Sequence, residues 1–349
     1  MKDTKKRPTQ ADVARLAKVS SAVVSAVVSK GDSSNIRVGE ETRERVLKAI
    51  KELGYVPNMV AQSLAGGRKK IIGLFSFESV FPKDPNDFFR DFLLGVETAA
   101  ETMGYDLLLY TSSKNRNQQK RIYENDVNRL VMADGAILFG RDPNPKELIR
   151  LQKDGYRFVY IGRQDLKTPI SYVAADYTGA TCELCEHLYE LGHRKFLYVG
   201  DVPLVERRLD REQGFKQFLQ DHQLDERHNR IERGNTDTFV AELVERINAD
   251  QLTAVLVEET PVAEQLVDRL AQQGKRVPDD ISIAILGEPM GAMDLSIEWS
   301  GFDVPKVNMG HQAFVSLIQM IDANLTNSKV QLTLPCELRL GKTLGPAPI

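Results

Sequence analysis

Apolar residues recur at helical spacing three times within the first 57 positions, after which short apolar strands alternate with amphipathic stretches. Thr9-Gln10-Ala11-Asp12 has the form of a capping box, and Val13, Leu16 and Ala17 supply the buried side of the helix it opens. Lys18-Val19-Ser20 breaks that helix. Ser20 and Ser21 can cap a second, with Val23, Val24, Val27 and Val28 inward and the small or hydroxylic Ser21, Ala22, Ser25, Ala26 and Ser29 outward. So many valines also suit a strand, but the capping signals on both sides favour a helix. Gly31-Asp32-Ser33-Ser34-Asn35 is a loop by composition. A third helix over residues 40–53 buries Val46, Leu47, Ile50 and Leu53 and stops at Gly54. Three short helices with a tight turn between the first two make a helix-turn-helix, whose second helix enters the major groove by its N-terminal residues.

Beyond the linker Gly66-Gly67-Arg68-Lys69-Lys70 the pattern predicts strands at 71–75, 107–110, 135–139 and 158–161, with helices at 88–103 and 118–132. The alternation then restarts. Helices are expected at 179–191, 211–222, 239–248 and 262–273, around strands at 196–199, 254–257 and 283–286. An amphipathic helix near 306–325 and late strands at 330–334 and 337–340 follow. Short apolar strands separated by helices mean an α/β fold of parallel sheets covered on both faces. Two such units in succession leave a cleft between them, where small ligands bind at strand C-termini.

Composition narrows the class. The 349 residues are 42% apolar and 27% charged, which argues against disordered, collagen-like and disulfide-scaffold proteins. No apolar run approaches the roughly 18–20 residues that span a bilayer. The basic start, Met1 to Pro8, is followed by no apolar signal region, and three cysteines suit a reducing compartment, so a cytoplasmic protein with no membrane partner is expected. Charge is unevenly placed: residues 1–70 carry 15 Lys+Arg against 7 Asp+Glu, a net of +8, and the remainder carries 31 against 42, a net of −11. A small basic head on an acidic body suits contact with a polyanion, although a solvated basic arm would give the same count.

Five blocks in the head resemble the lactose-repressor (LacI–GalR) family of bacterial transcriptional regulators. They are Ala11-Asp12-Val13-Ala14-Arg15-Leu16-Ala17-Lys18-Val19-Ser20, Val24-Ser25, Glu41-Thr42-Arg43-Glu44-Arg45-Val46, Leu53-Gly54-Tyr55-Val56-Pro57-Asn58 and Ala61-Gln62-Ser63-Leu64-Ala65-Gly66. The body adds Gly95-Val96-Glu97, Gly104-Tyr105-Asp106, Glu190-Leu191-Gly192-His193-Arg194-Lys195, Val277-Pro278-Asp279-Asp280-Ile281-Ser282 and Met309-Gly310.

The resemblance implies a helix-turn-helix domain over residues 1–57, a hinge helix and linker over 58–70, and an effector-binding and dimerisation body over 71–349. The body would hold two periplasmic-binding-protein-like halves, about 71–173 with 303–332 and about 174–302 with 333–349. It also implies a homodimer on a pseudo-palindromic double-stranded operator, on the nucleoid when bound. A small-molecule effector, a sugar or sugar derivative, would control hinge ordering, and no cofactor is expected. Thr9, Ser20, Ser21, Ala22, Ser25, Ala26 and Ser29 become candidate DNA contacts, with Asn58, Ala61, Leu64 and Ala65 in the hinge. Leu64 matches the side chain that wedges into the minor groove, though Val60 and Leu64 alone would read as a packing pair.

Departures from the family are as informative. Ala26 stands where an arginine usually follows the serine of the second helix, removing a bidentate guanine contact, and Ala22 replaces a commonly polar residue. The loop around 30–38 is longer than usual, and Gly39 stands where a serine normally caps the third helix. In the cleft, Arg211 of Arg211-Glu212-Gln213-Gly214-Phe215 matches a family arginine that bonds effector hydroxyls, while a surface ion pair with its neighbours is the alternative. Glu259 and Glu288 flank positions where the family often carries aspartates, and Pro289 replaces one of those. They are candidate acceptors for hydroxyls or for a cationic ligand, unless they face solvent. Arg141 and Arg163 follow strands of the first half and face either the cleft or water, and Phe75, Phe88 and Trp299 are either apolar walls or core.

Enzyme chemistry lacks its residues. Cys182-Glu183-Leu184-Cys185 lies inside a predicted helix without a second ligand pair, so packing explains it better than zinc or redox work. No phosphate-binding glycine loop or nucleophile elbow occurs. A transport-type sugar receptor and an enzyme on the same frame are the competing readings. Neither uses a helix-turn-helix, and a receptor would need export. The tail from Gly341 to Ile349 is too short for the heptad helix that builds tetramers in the lactose repressor.

Overall fold

Thr9 opens the first helix, α1 (Gln10–Ala17), through a reciprocal capping box: its backbone N–H donates to Asp12 Oδ2 at 2.9 Å, and Asp12 N–H donates to Thr9 Oγ1 at 3.4 Å. The computed structural model describes residues 8–28, 37–56, 68–79, 89–111, 120–225, 227–290, 296–324 and 329–348. Residues 1–69 and 70–349 form two compact units. In the first, Lys18 ends α1 in the left-handed region, and Ser20 Oγ accepts from Val23 N–H at 3.3 Å to open α2 (Ser21–Val28). The helix α3 (Glu40–Leu53) ends at Gly54, at φ 60°.

Val13, Ala14, Ala17, Val24, Val27, Val46 and Ala49 form the small core of this unit. Four valines cost α2 roughly 2–3 kcal/mol of helix propensity relative to alanine. Removing Val24 and Val27 from water returns roughly 3–6 kcal/mol, so packing decides in favour of helix. Leu16 and Leu47, expected inside, are exposed, while Ala14 and Ala49 are buried with the valines.

The second unit holds two parallel sheets. Strands β1 (Ile71–Ser76), β2 (Asp106–Tyr110), β5 (Gly135–Phe139), β6 (Phe158–Ile161), β7 (Tyr172–Ala175) and β13 (Gln331–Leu334) lie in the order β13-β7-β6-β5-β1-β2. Strands β8 (Phe196–Gly200), β9 (Arg230–Arg233), β10 (Ala254–Val257) and β11 (Ser282–Ile285) lie in the order β11-β10-β8-β9. The helices between them are α4 (Arg90–Met103), α5 (Pro145–Lys153), α6 (Tyr177–Glu190), α7 (Glu206–Asp221), α8 (Asp237–Ala249), α9 (Thr260–Gln272) and α10 (Lys306–Asp322). The chain leaves the first half after β7, returns after β12 (Gly301–Asp303), and leaves again after β13 to pair β14 (Glu337–Arg339) antiparallel with β12. One apolar cluster runs through these crossings, from Val96 and Phe314 through Phe302 and Cys336 to Phe196 and Phe215.

The helix expected over 118–132 is absent from its described part. Residues 123–128 form the hairpin β3 (Tyr123–Glu124) and β4 (Val127–Asn128), followed by a short 3-10 turn. Asn125 and Asp126, both at positive φ, make the two-residue turn that matches the twist of paired strands. Cys185 is buried in the core on α6, burial pushes its thiol pKa well up, and Cys182 beside it is half-buried. Both pack, as expected.

His193 is sealed between Thr253, Ser282 and Gly345: Nδ1 lies 2.9 Å from Thr253 Oγ1, and Nε2 lies 3.0 Å from the Gly345 carbonyl. Burial lowers its pKa below 6.5, so the unfolded chain takes a proton first as pH falls. The stability it contributes is complete above about pH 6.5 and is lost as pH falls toward the native pKa. The urea midpoint is therefore expected to drop between about pH 7.5 and 5.5, and to drop less in His193→Gln. Equal slopes in the two proteins would contradict this role.

Candidate functional site

In the head, the exposed start of α2 carries Ser20, Ser21 and Ala22, with Ser25 and Ala26 half-buried behind them. None bears a charge; hydroxyls and methyls are what this surface offers to base edges or phosphates. Thr9 is exposed, but its hydroxyl is held 2.6 Å from Asp12 Oδ2. Gln10 Nε2 donates to the Ser21 carbonyl at 2.9 Å and ties the two helices together. Ser29, Asn58, Ala61, Leu64, Ala65 and Phe88 lie outside the described residues.

In the body, the site follows from topology. The strand order reverses between β1 and β5 in one sheet and between β8 and β10 in the other, and each reversal opens a crevice at the strand C-termini. The residues that leave those ends are Glu78, Arg141 and Arg163 in the first half, and Asp201, Glu258, Glu259 and Glu288 in the second. Gly140 and Gly287, at φ 109° and 144°, turn the chain there in a conformation that side chains disfavour. The helix α7 brings Arg207, Arg208 and Arg211 to the same place, because Gly214 lets it close on α6: a Cβ there would lie 2.3 Å from the Thr178 carbonyl oxygen.

Arg163 and Asp210 join the halves, Nη2 lying 2.6 Å and Nε 3.1 Å from the two carboxylate oxygens. Arg141 forks onto Glu78, with Nη2 2.9 Å from Oε2. Arg208 is buried among three carboxylates, 2.6 Å from Asp201, 3.0 Å from Glu258 and 2.8 Å from Glu259. Burial raises the pKa of Glu258, against the charge of Arg211 and the Tyr198 hydroxyl, which donates to it at 2.6 Å. Lys306, at the start of α10, pairs with Glu288 and lies 3.6 Å from Asp91. Arg211 places its guanidinium 4.4 Å from the centre of the Tyr177 ring.

These positions revise several expectations. Glu259 and Glu288 face neither solvent alone nor an open ligand site; each is committed to an internal cation. Phe75 has no accessible surface and packs with Ile122, Leu130 and Leu138, while Trp299 is buried in the second half's core, so neither lines open space. Arg141 and Arg163 are each already paired with a carboxylate, and the Arg141 side chain stays 69% exposed. Asp201, Glu258 and Tyr177 carried no motif; Gly200 before Asp201 at a strand end was the available signal.

The fold and site define a class: a helix-turn-helix head with a two-part α/β body of periplasmic-binding type. Residues 9–58 match the profile of bacterial regulatory proteins, lacI family, and residues 185–344 match the periplasmic binding protein-like domain. The chain is 31% identical over 274 residues to catabolite control protein A of Staphylococcus xylosus, covering 78% of this chain and 80% of that protein. A crystal structure of the lac repressor dimer bound to operator and an anti-inducer superposes with a TM-score of 0.68 at 23% identity, covering 97% and 99% of the two chains. A complex of the transcriptional regulator CelR with cellobiose superposes at 0.60 and 25% identity, covering 97% and 100%. The chain belongs to the lacI family of bacterial regulatory proteins, and it is a DNA-binding transcriptional regulator rather than an enzyme. No helix among the described residues is long and apolar enough to cross a membrane.

Proposed function

We propose that this protein is a ligand-responsive repressor of carbohydrate or related metabolic genes, acting as a homodimer on a pseudo-palindromic operator. Two heads, residues 1–57, read the half-sites through α2 from Ser20, while the segment 58–70 acts as the hinge. The body, 71–349, binds a sugar or sugar derivative and biases the hinge. The observation that carries this reading is the union in one chain of a capped helix-turn-helix with a cleft where two sets of strand C-termini converge. The lac repressor dimer on its operator and the CelR–cellobiose complex, both similar over 97% of this chain, support the two binding roles.

Selection of duplexes from a random pool by the full-length protein is expected to return a pseudo-palindrome; a pool that stays random overturns the reading. On the selected duplex, Leu64→Ala is expected to weaken specific binding roughly 10- to 100-fold, because the lost wedge leaves a kinked base step unsupported. Its effect on effector affinity should be small. An unchanged duplex affinity would sink the wedge assignment.

A further inference from the structure

The carboxylates of the cleft are taken by specific cations: Glu78 by Arg141, Asp210 by Arg163, Asp201, Glu258 and Glu259 by Arg208, and Glu288 by Lys306. Two further guanidiniums make no such pair, although the charge of Arg211 is felt by Glu258. Among the described residues, neither Arg207 nor Arg211 forms an ion pair or a hydrogen bond, and Arg211 Nε is shut away from solvent without a partner. Arg211 is stacked on Tyr177, and its Nη2 lies against Gly287, where a Cβ would press on it at 3.3 Å. Arg207 stands four residues earlier on α7, on the same helix face.

Burial lowers the pKa of Arg207, and so do the guanidiniums of Arg211, Arg208 and Arg141; the Tyr177 phenol opposes them. Both arginines also lie in the first two turns of α7, near the positive end of its dipole. A half-buried cation among like charges is costly to keep unless an anion arrives to pair with it.

We propose that the cleft takes an effector carrying an oxyanion, a carboxylate or phosphate on a polyhydroxy scaffold, held by the guanidiniums of Arg207 and Arg211. The proposal rests on the reading of the cleft as the effector site. A cationic effector is disfavoured, because the glutamates that would receive it are already paired.

The test is calorimetric titration of the full-length protein with gluconate, glucose 6-phosphate, glucose and inorganic phosphate at matched ionic strength, alongside thermal melting without ligand. Gluconate or glucose 6-phosphate is expected to bind at least ~10-fold more tightly than glucose, since hydrogen bonds to a charged group are the stronger ones. Tighter gluconate assigns the carboxylate. Tighter glucose 6-phosphate, displaced by inorganic phosphate, assigns the phosphate. Arg207→Gln should abolish the advantage, Arg207→Lys should keep part of it, and ligand-free Arg207→Gln should melt at or above the wild type. Glucose binding as tightly as the anions overturns the oxyanion and leaves the cleft as an effector site. Silence from all four probes, or a lower melting temperature for ligand-free Arg207→Gln, overturns the proposal, while the duplex selection judges the DNA-binding reading separately.

Discussion

Gly310→Val is expected to leave no stably folded body. The helices α4 and α10 meet backbone to backbone through one glycine each: a Cβ on Gly310 would lie 2.0 Å from the Phe92 carbonyl oxygen, and one on Gly95 would lie 1.9 Å from that of Val307. Even alanine would force the helices apart by about 1 Å, and a close-packed interior does not give that much. The same face of α10 is pinned farther along, because Phe314, Leu317 and Ile321 are buried in the core and Gly135 leaves Leu317 and Ile321 only just enough room. A cost of roughly 3–5 kcal/mol for Gly310→Ala, and more for valine, consumes much of a typical domain's 5–15 kcal/mol. Thermal melting checks this. Gly39→Ser, at a position with nothing within 4 Å, is the tolerated control, and equal melting temperatures for it and Gly310→Val would contradict the account.

Arg208→Met is expected to be the most damaging change in the cleft. It strips the cation from Asp201 and Glu258, whose side chains are 11% and 1% exposed, and from the more open Glu259. Removing one partner of a buried ion pair costs roughly 3–5 kcal/mol, because the remaining charge is left uncompensated. The pH dependence identifies the cause. Burial already raises the pKa of Glu258, and losing Arg208 should raise it further. An acid whose folded pKa lies above its unfolded value contributes stability below the unfolded pKa and loses it as pH rises through the folded one. The deficit of Arg208→Met relative to wild type, read from urea midpoints, should therefore shrink between about pH 7.5 and 5.5. A deficit that is small or independent of pH would show that Arg208 acts by packing alone.

Elements fixed by local signals were legible in the sequence. The capping box at Thr9 and the left-handed Gly54 bounded α1 and α3, and the apolar runs at 135–139, 158–161 and 254–257 were strands as read. The stretch from Tyr123 to Asn128 was misread because its apolar spacing fits a helix, whereas Asn125 and Asp126, residues that tolerate positive φ, supply a two-residue turn. The site was less legible because its logic is non-local. Glu259 and Arg208 are 51 residues apart, and nothing near Glu288 in the sequence announces Lys306, yet those pairings decide which charges remain for a ligand. Arg208 and Arg207 are neighbours with opposite fates, one enclosed by three carboxylates and the other facing guanidiniums. Composition cannot separate two adjacent arginines that a single helical step of about 100° sends in different directions.

The proposed function requires that what binds the body changes how the protein holds DNA. Linkage makes this reciprocal. The most direct measurement is the affinity of the full-length protein for its selected duplex with and without a saturating cleft ligand, paired with that ligand's affinity with and without the duplex. The expected result is a change of roughly 5- to 150-fold in the first, matched by the same factor in the second. Equal affinities in both comparisons would mean that the two units bind independently, and that the protein is not a ligand-responsive switch.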